Sequence, residues 1–309
     1  MPFVSFCIST YKRPQILLTQ LQLLSRQTYT DFEVVVSDND PEQSGKTIIK
    51  SLNDQRFKYY SNEINLGMIK SFNKSIERSN TPYIIMITDD DPLNVSFLEE
   101  MVPLINQYPD KSVYGGFIRK RGDVDKIEEI DSLHFPSEVL HPKKNPSIFW
   151  SNCILRKADV IKIGYIPDYG SPHLADHALL ALTGSVNGGI IRNKIYSSHN
   201  LHENNYSKGN FDSYYNGCVG FYNLLSQYFK ERGEFIHIQH VIHLHLEQWF
   251  ISMSFSLRKY FYKQKNRNKL QEIDNFSKQI LTLNFMKRSR AKYQIKKIIF
   301  NIKVQLGLL

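Results

Sequence analysis

Two periods alternate along the first hundred residues. Residues 3–9 (FVSFCIS) form a short apolar run closed by Thr10-Tyr11-Lys12-Arg13-Pro14, the pattern of a buried strand ending in a turn. Residues 15–27 place Ile16, Leu17, Leu21 and Leu24 at helical spacing. Residues 32–37 (FEVVVS) are β-branched and apolar, a second buried strand that ends in Asp38-Asn39-Asp40-Pro41. The pattern then predicts a helix over 46–52, a short strand over 57–60, and a helix over 68–79 that follows Asn65-Leu66-Gly67. A third long strand over 83–87 (YIIMI) runs into Thr88-Asp89-Asp90-Asp91, with a helix near 92–101. Strands alternating with helices imply a mostly parallel sheet covered on both faces. Ligands of such sheets bind beyond the carboxyl ends of the strands. Thr10–Arg13, Asp38–Asp40 and Asp89–Asp91 all fall at such ends.

Beyond residue 112 the pattern is less regular. Strands are expected over 113–119, 148–155 and 189–196, with a short helix over 175–182. Pro142, Pro146, Pro167 and Pro172 break the remainder into loops. After about residue 207 the composition turns to Tyr, Phe, Asn, Lys and His at helical spacing. The expected organisation is therefore an α/β domain over 1–207 and a helical region over 208–309.

Composition changes this picture mainly through charge. The 309 residues hold 39 Lys+Arg against 30 Asp+Glu, a formal +9 that first suggests a nucleic-acid or anionic-membrane partner. The excess is local: residues 258–309 carry 14 basic and 2 acidic side chains, and the rest of the chain carries 25 and 28. The body is thus slightly acidic and the tail is strongly basic. Cys7, Cys153 and Cys218 lie far apart, neither a disulfide framework nor a CxxC metal set, which suits a reducing compartment. The start MPFVSFCIST lacks a basic n-region and a long apolar h-region, and the best apolar stretch, 249–257, is short and broken by serines. The expectation is a cytoplasmic protein, or one attached peripherally to the inner face of the cell membrane.

Asp89-Asp90-Asp91 is the leading chemical signal. Three consecutive carboxylates repel one another, and a divalent cation offsets that repulsion. Hard cations such as Mg²⁺ or Mn²⁺ take carboxylate oxygens together with substrate phosphates. The competing reading is a solvated acidic turn that caps the next helix. Two other motifs point elsewhere. Ser44-Gly45-Lys46-Thr47 looks like the end of a P-loop, but Asp40 stands where the first glycine of that motif belongs. His237, His240, His243 and His245 drift around a helix with no carboxylate or Cys to complete a metal set, so they read as helix histidines.

These motifs resemble those of the family 2 glycosyltransferases, inverting enzymes with the GT-A fold. Residues 4–14 look like that family's first strand and its Thr-Tyr-Asn-Arg-Pro turn. Residues 32–40 look like its second strand and acidic end, Asn65-x-Gly67 with Asn73 like its loop and helix, and 83–91 like the strand ending in Asp-x-Asp. The resemblance weakens towards residue 207 and does not cover the last hundred residues. It implies an inverting, metal-dependent transfer of sugar from a nucleotide-diphosphate sugar, a UDP-sugar first, to a glycan or lipid-linked glycan in surface-polysaccharide synthesis such as O-antigen assembly.

Residue roles follow from the resemblance alone. Thr10 and Arg13 would lie by the nucleotide and Tyr11 under the base. Asp38 would hold base or ribose, and Asn65 and Gly67 would shape the nucleotide loop. Asp89 would hold ribose, and Asp90 or Asp91 the Mn²⁺ or Mg²⁺. Two departures stand out: Lys12 replaces a frequent Asn, and Ser71-Phe72-Asn73 replaces Ala-Arg-Asn, with Lys70 the candidate substitute cation. Inversion also needs a carboxylate to take the acceptor's proton. Asp176 occupies the Asp position of the family's Glu-Asp pair, with Ala175 in place of Glu; otherwise it is a first-turn helix residue. His199 is the candidate third metal ligand, and His202 its competitor.

Two alternatives remain at this point: a nucleotidyltransferase, which should carry a Gly-rich basic loop after its first strand, and a non-enzymatic nucleic-acid-binding protein. No nucleic-acid partner is expected, because the candidate site is acidic. The tail has its own pattern. Ile295, Ile298, Ile299, Ile302 and Leu306 share one helix face, flanked or opposed by Arg290, Lys292, Lys296, Lys297 and Lys303. It either lies on an anionic membrane surface or packs its apolar stripe on the rest of the protein.

Overall fold

The computed structural model describes residues 2–117, 125–144, 148–197 and 211–308. The chain divides into two units. The first holds all the strands; the second holds the four C-terminal helices together with Leu140–Lys143 and Tyr169–Leu174.

The first unit is built on one eight-stranded sheet: β1 (Val4–Thr10), β2 (Phe32–Asp38), β3 (Phe57–Ser61), β4 (Tyr83–Met86), β5 (Val113–Phe117), β6 (Ile127–Ile130), β7 (Cys153–Arg156) and β8 (Gly189–Ile195). The order is β3-β2-β1-β4-β7-β5-β8-β6. β1 pairs in parallel with β2 and β4, β2 with β3, and β5 with β8. β7 runs antiparallel between β4 and β5, and β6 antiparallel on the outer edge of β8. This is the mixed, mostly parallel sheet with helices that the sequence implied.

Seven helices belong to the same stretch of chain: α1 (Pro14–Ser25), α2 (Lys46–Leu52), α3 (Met68–Arg78), α4 (Phe97–Gln107), α5 (Phe135–Leu140), α6 (Lys157–Lys162) and α7 (Ala175–Asn187). The apolar runs explain the layering. Every residue of β2 is buried, and so are six of seven in β1, because helices cover both faces. Val4, Phe6, Ile8, Val34 and Val36 pack with Leu17, Leu21 and Leu24 of α1 and with Phe97, Met101 and Ile105 of α4. Burying one such side chain contributes about 1.5–3 kcal/mol. In the parallel register Thr10 lies opposite Asp38, and Asp38 opposite Ser61, so three strands end on one line.

Two expectations about this unit are corrected. Residues 148–155 do not form one strand. Trp150–Asn152 is a 3-10 turn, and only Cys153–Arg156 is extended. The Asn152 side chain accepts the Phe149 N–H at 3.0 Å, and the Trp150 ring packs on Phe72 at 5.0 Å, so side chains hold the turn. The helix expected near 92–101 starts at Phe97. Leu93 instead bridges to Ser197, and the Asn94 N–H donates to the Tyr196 carbonyl.

The second unit contains α8 (Asp212–Glu231), α9 (Phe235–Lys263), α10 (Arg267–Thr282) and α11 (Ser289–Gln305). Phe211, Tyr214, Trp249 and Phe276 form an aromatic centre, with Tyr214 stacked on Phe276 at 5.2 Å. Arg258 of α9 is buried and donates to Asp274 of α10 at 2.6 Å and to the Tyr293 hydroxyl of α11 at 2.7 Å. Lys297 of α11 reaches the same Asp274 oxygen at 2.7 Å. Burial pushes the Asp274 carboxyl up, but the hydrogen bonds and charges of Lys297 and Arg258 outweigh it and hold it below the ordinary range. Among the described residues no helix is long and apolar enough to cross a membrane.

Candidate active site

The adjacent ends of β1 and β4 meet through side chains. The Thr10 hydroxyl donates to Asp89 Oδ2 at 3.0 Å, and Arg13 Nη1 donates to Asp89 Oδ1 at 2.9 Å. The same guanidinium lies 3.5 Å from Asp90 Oδ2. Arg13 can do this because Lys12 takes a left-handed turn (φ 53°) before α1 starts at Pro14. Asp89 is almost wholly buried, and burial raises its carboxyl above the usual range. Arg13 and the Thr10 bond pull it down, while neighbouring Asp90 adds to the rise. Buried Gln20 of α1 donates to the Asp91 carbonyl at 2.9 Å and fixes the backbone of the triplet.

The end of β2 is organised differently. Asp38 is fully buried, and its carboxylate accepts three donors: the Asp40 N–H at 3.0 Å, the Gly45 N–H at 2.9 Å and the Tyr59 hydroxyl at 2.9 Å. It therefore shapes the 38–45 loop. The Gly45 N–H of the P-loop look-alike is directed at this carboxylate, which agrees with reading that motif as a decoy. Burial pushes the Asp40 carboxyl up, yet hydrogen bonds from Ser44 and Glu42 and the Lys12 charge hold it lower.

Asn39 is the linking residue here. Its N–H donates to the Thr10 carbonyl at 2.8 Å, its Nδ2 to Asn65 Oδ1 at 2.6 Å, and its Oδ1 accepts the Leu66 N–H at 2.8 Å. Asn65 Oδ1 also accepts the Gly67 N–H at 2.9 Å, and Gly67 sits at φ 80°, a backbone that favours glycine. Asn65, Gly67 and Lys70 are exposed at the start of α3. Arg78 brings a guanidinium to the buried β2 end, where it donates to Ser37 Oγ at 3.1 Å and Asn62 Oδ1 at 3.0 Å.

The third contribution comes from the 3-10 turn. Ser151 Oγ donates to Asp91 Oδ2 at 2.7 Å. Phe149, just before the turn, packs on His177 of α7 with ring centroids 6.2 Å apart. His177 Nε2 lies 3.5 Å from Asp176 Oδ2, and Asp176 stands part-exposed in the first turn of α7. A chain of contacts thus runs from the acidic triplet through Ser151 and Phe149 to the candidate base. Sequence reading did not find Arg78 or Ser151, and it placed Asn39 only within the polar cluster that ends β2. Only Asn39, set between two aspartates at a strand end, gave a local signal.

The predicted site residues fall as follows. Thr10, Arg13, Asp89 and Asp90 form one bonded group. Tyr11 is exposed beside it, with Lys12 Nζ 5.7 Å from its ring centroid. Asp38 is enclosed, and Asn65 and Gly67 are tied to Asn39. His199 and His202 lie outside the described residues. Among the described residues no three His, Cys, Asp or Glu side chains are grouped to hold a metal ion. The donor chemistry at Asp90 and Asp91 still fits Mg²⁺ or Mn²⁺, which accept carboxylates completed by water and substrate phosphate. Thr88 and Asn152, the sequence neighbours of Asp89 and Ser151, each bury a polar atom, Oγ1 and Nδ2, with no hydrogen-bond partner among the described residues, as in a site shaped for a polar ligand. Two of the α9 histidines make other contacts: His245 Nδ1 lies 2.7 Å from the Leu140 carbonyl, and His243 stacks on Tyr222.

Residues 5–164, more than half of the chain, match the family described as Glycosyl transferase family 2. The chain belongs to glycosyl transferase family 2. A Campylobacter jejuni protein, the GalNAc(5)-diNAcBac-PP-undecaprenol beta-1,3-glucosyltransferase, is 26% identical over 144 residues, 45% of this chain and 46% of its own length. The putative colanic acid biosynthesis glycosyl transferase WcaA of Escherichia coli is 31% identical over 93 residues, 29% of this chain and 33% of its own. The matched stretches thus span from a third to about half of these curated relatives. Among solved structures, Staphylococcus aureus TarS 1–349 in complex with UDP-GlcNAc superposes with TM-score 0.55 at 16% identity, covering 90% of this chain and 92% of that one. The mannosyltransferase PcManGT from Pyrobaculum calidifontis, in complex with GDP-Man and Mn2+, gives TM-score 0.57 at 12% identity, covering 96% and 88%. These likenesses show the GT-A fold.

Proposed function

We propose that the protein is an inverting glycosyltransferase that moves a sugar from a nucleotide-diphosphate sugar, a UDP-sugar first, to a glycan or lipid-linked glycan in surface-polysaccharide synthesis. The observation that carries this reading is the bonded group Thr10–Asp89–Arg13–Asp90 at the ends of β1 and β4, linked through Asp91 and Ser151 towards Asp176. The names of the relatives support the class of substrate: one acts on a diphospho-undecaprenol glycan, and one neighbour holds UDP-GlcNAc.

In this reading Tyr11 stacks under the base, and the loop tied by Asn39, Asn65 and Gly67 borders the nucleoside. Asp38 acts by holding the shape of its loop. Arg13 keeps Asp89 and Asp90 in place. Asp90 and Asp91 would hold Mn²⁺ or Mg²⁺, with His199 as a further ligand, and the bound cation would neutralise the leaving diphosphate. Asp176 takes the proton of the acceptor hydroxyl as that oxygen attacks the anomeric carbon from the face opposite the diphosphate. The anomeric C–O bond breaks, and its electron pair leaves on the diphosphate oxygen. The cytoplasmic face of a membrane is where such an acceptor would be met. The nucleotidyltransferase alternative needs a glycine-rich cationic loop after β1, whereas Arg13 there is paired with Asp89 and Asp90. The test is a screen of nucleotide sugars with Mn²⁺ and Mg²⁺, read as release of nucleoside diphosphate. Release from one donor, dependent on the cation, is expected; pyrophosphate release from a nucleoside triphosphate would overturn the reading.

A further inference from the structure

The terminal helix has two apolar faces, and only one of them is covered. Tyr293 is buried, stacks on Phe250 at 5.3 Å and receives the Arg258 hydrogen bond. Phe300, on the same side, packs near Phe255 and Tyr262. Lys297 closes this inner face through Asp274. The stripe expected either to pack or to meet a membrane lies on the opposite side. Ile295 and Ile298 are each 59% exposed, Ile299 and Ile302 48%, and Leu306 64%. At 100° per residue these five fall within about 100° of arc, and Tyr293 stands about 160° from Ile295. Five large aliphatic side chains on one outward stripe are more than the scattered exposure of an ordinary surface.

We infer that this stripe docks on an anionic lipid bilayer, with α11 lying in the plane of the headgroups. Charge selects this occupant. Residues 289–305 carry Arg290, Lys292, Lys296, Lys297 and Lys303 and no acidic residue. Lys292, Lys296 and Lys303 fall along one border of the stripe, and Arg288 precedes it in line. Basic residues bordering an aliphatic face are the composition of an interfacial helix on anionic lipid. A second copy of the chain would instead set two helices without a carboxylate against each other, in a region with 14 basic and 2 acidic side chains. The inner-face anchor through Arg258, Asp274 and Tyr293 holds the helix so that the stripe is presented before any lipid is met. The inference deepens the lipid-linked-acceptor reading, but its test needs no turnover.

The experiment is sedimentation of the full chain with sucrose-loaded vesicles of phosphatidylcholine alone and of phosphatidylcholine with phosphatidylglycerol. The comparison protein is the double variant Ile298→Asp/Ile302→Asp, checked for an unchanged thermal melt. Both side chains point to solvent, so the variant is expected to fold. The wild type should sediment with the anionic vesicles and much less with neutral ones, and release as salt is raised. The variant should lose more than about tenfold in partition, since two of five inserting side chains are gone. Equal sedimentation of the variant, indifference to lipid charge, or no sedimentation by the wild type would overturn the inference. So would a wild-type dimer in light scattering that the variant splits. A chain that sediments but transfers no sugar would leave this inference standing and remove the reaction instead.

Discussion

Each of the two units contains an arginine held against a buried or half-buried aspartate, and the two pairs behave in opposite ways. At the sheet edge Arg13 reaches Asp89, yet burial leaves the Asp89 carboxyl raised. In the helical unit Arg258 and Lys297 converge on Asp274 and lower it. Asp274 has two cations and Asp89 has one, and that one is shared with Asp90. Asp89 also carries a like charge next to it in sequence. The helical pair is balanced within the protein and serves to fasten α11. Among the described residues the sheet-edge group sets one arginine against two carboxylates, an arrangement suited to receiving a cation. The difference separates a structural ion pair from a site by the count of charges around each carboxylate, without reference to its position in the chain.

The comparison can be broken in several ways. The largest effect is expected at the end of the sheet-edge chain: Asp176→Asn should lower turnover about 10³-fold, the usual worth of a general base, with nucleotide binding by calorimetry retained. Turnover near the wild-type value would remove Asp176 from the reaction. Next, Asp274→Asn should cost about 3 kcal/mol in a urea melt, because it leaves the buried Arg258 charge without its carboxylate. The lowered Asp274 carboxyl contributes stability that is present above the ordinary carboxylate range and is lost as pH falls through its depressed value. The gap between wild type and Asp274→Asn should therefore close in acid. Ser151→Ala should lower turnover by about 10- to 100-fold, since one hydrogen bond to a charged group is worth about 1.5–3 kcal/mol. The smallest effect on the urea melt is expected for Asp89→Asn at neutral pH, because Arg13 is part-exposed and keeps Asp90 as a partner. The sign is opposite to that at Asp274. A raised carboxyl favours the folded state below the ordinary range and loses that contribution as pH rises through its folded value, so the variant should gain on the wild type from acid to neutral. Parallel pH profiles for the two variants would undo the contrast.

Much of the first hundred residues was legible because their elements are local. The run 83–87 is apolar throughout and 32–37 is apolar apart from Glu33 and Ser37, a pattern that suits a strand covered on both faces. Helix α2 was read at its observed bounds, Lys46–Leu52. The strand ends were legible for the same reason, since polar residues closing a buried run must lie at an edge. What failed was the part held by distant side chains. Nothing near Trp150 indicates that its ring packs on Phe72, and without that contact 148–155 reads as an ordinary strand. Strand β6 has three exposed residues of four, and its sequence, IEEI, carries too little pattern to be found. Within the site, Thr10, Arg13 and Asp89 were read from strand ends and resemblance, whereas Ser151 and Arg78 arrive from elsewhere in the chain. The tail was legible as amphipathic but not as two-faced, because Tyr293 and Phe300 break the polar side opposite the Ile stripe.

One contact outside the reacting groups has a consequence for measurement. Asn73 of α3 donates its Nδ2 to the Ile166 carbonyl and accepts the Ile166 N–H at its Oδ1, both at 3.0 Å. The side-chain amide stands in for a neighbouring strand and clasps one residue of the 163–168 loop to a helix nearly a hundred positions earlier. Proton exchange at the Ile166 amide therefore requires that clasp to open. That amide becomes a spectroscopic gauge of how firmly α3 is seated against the loop.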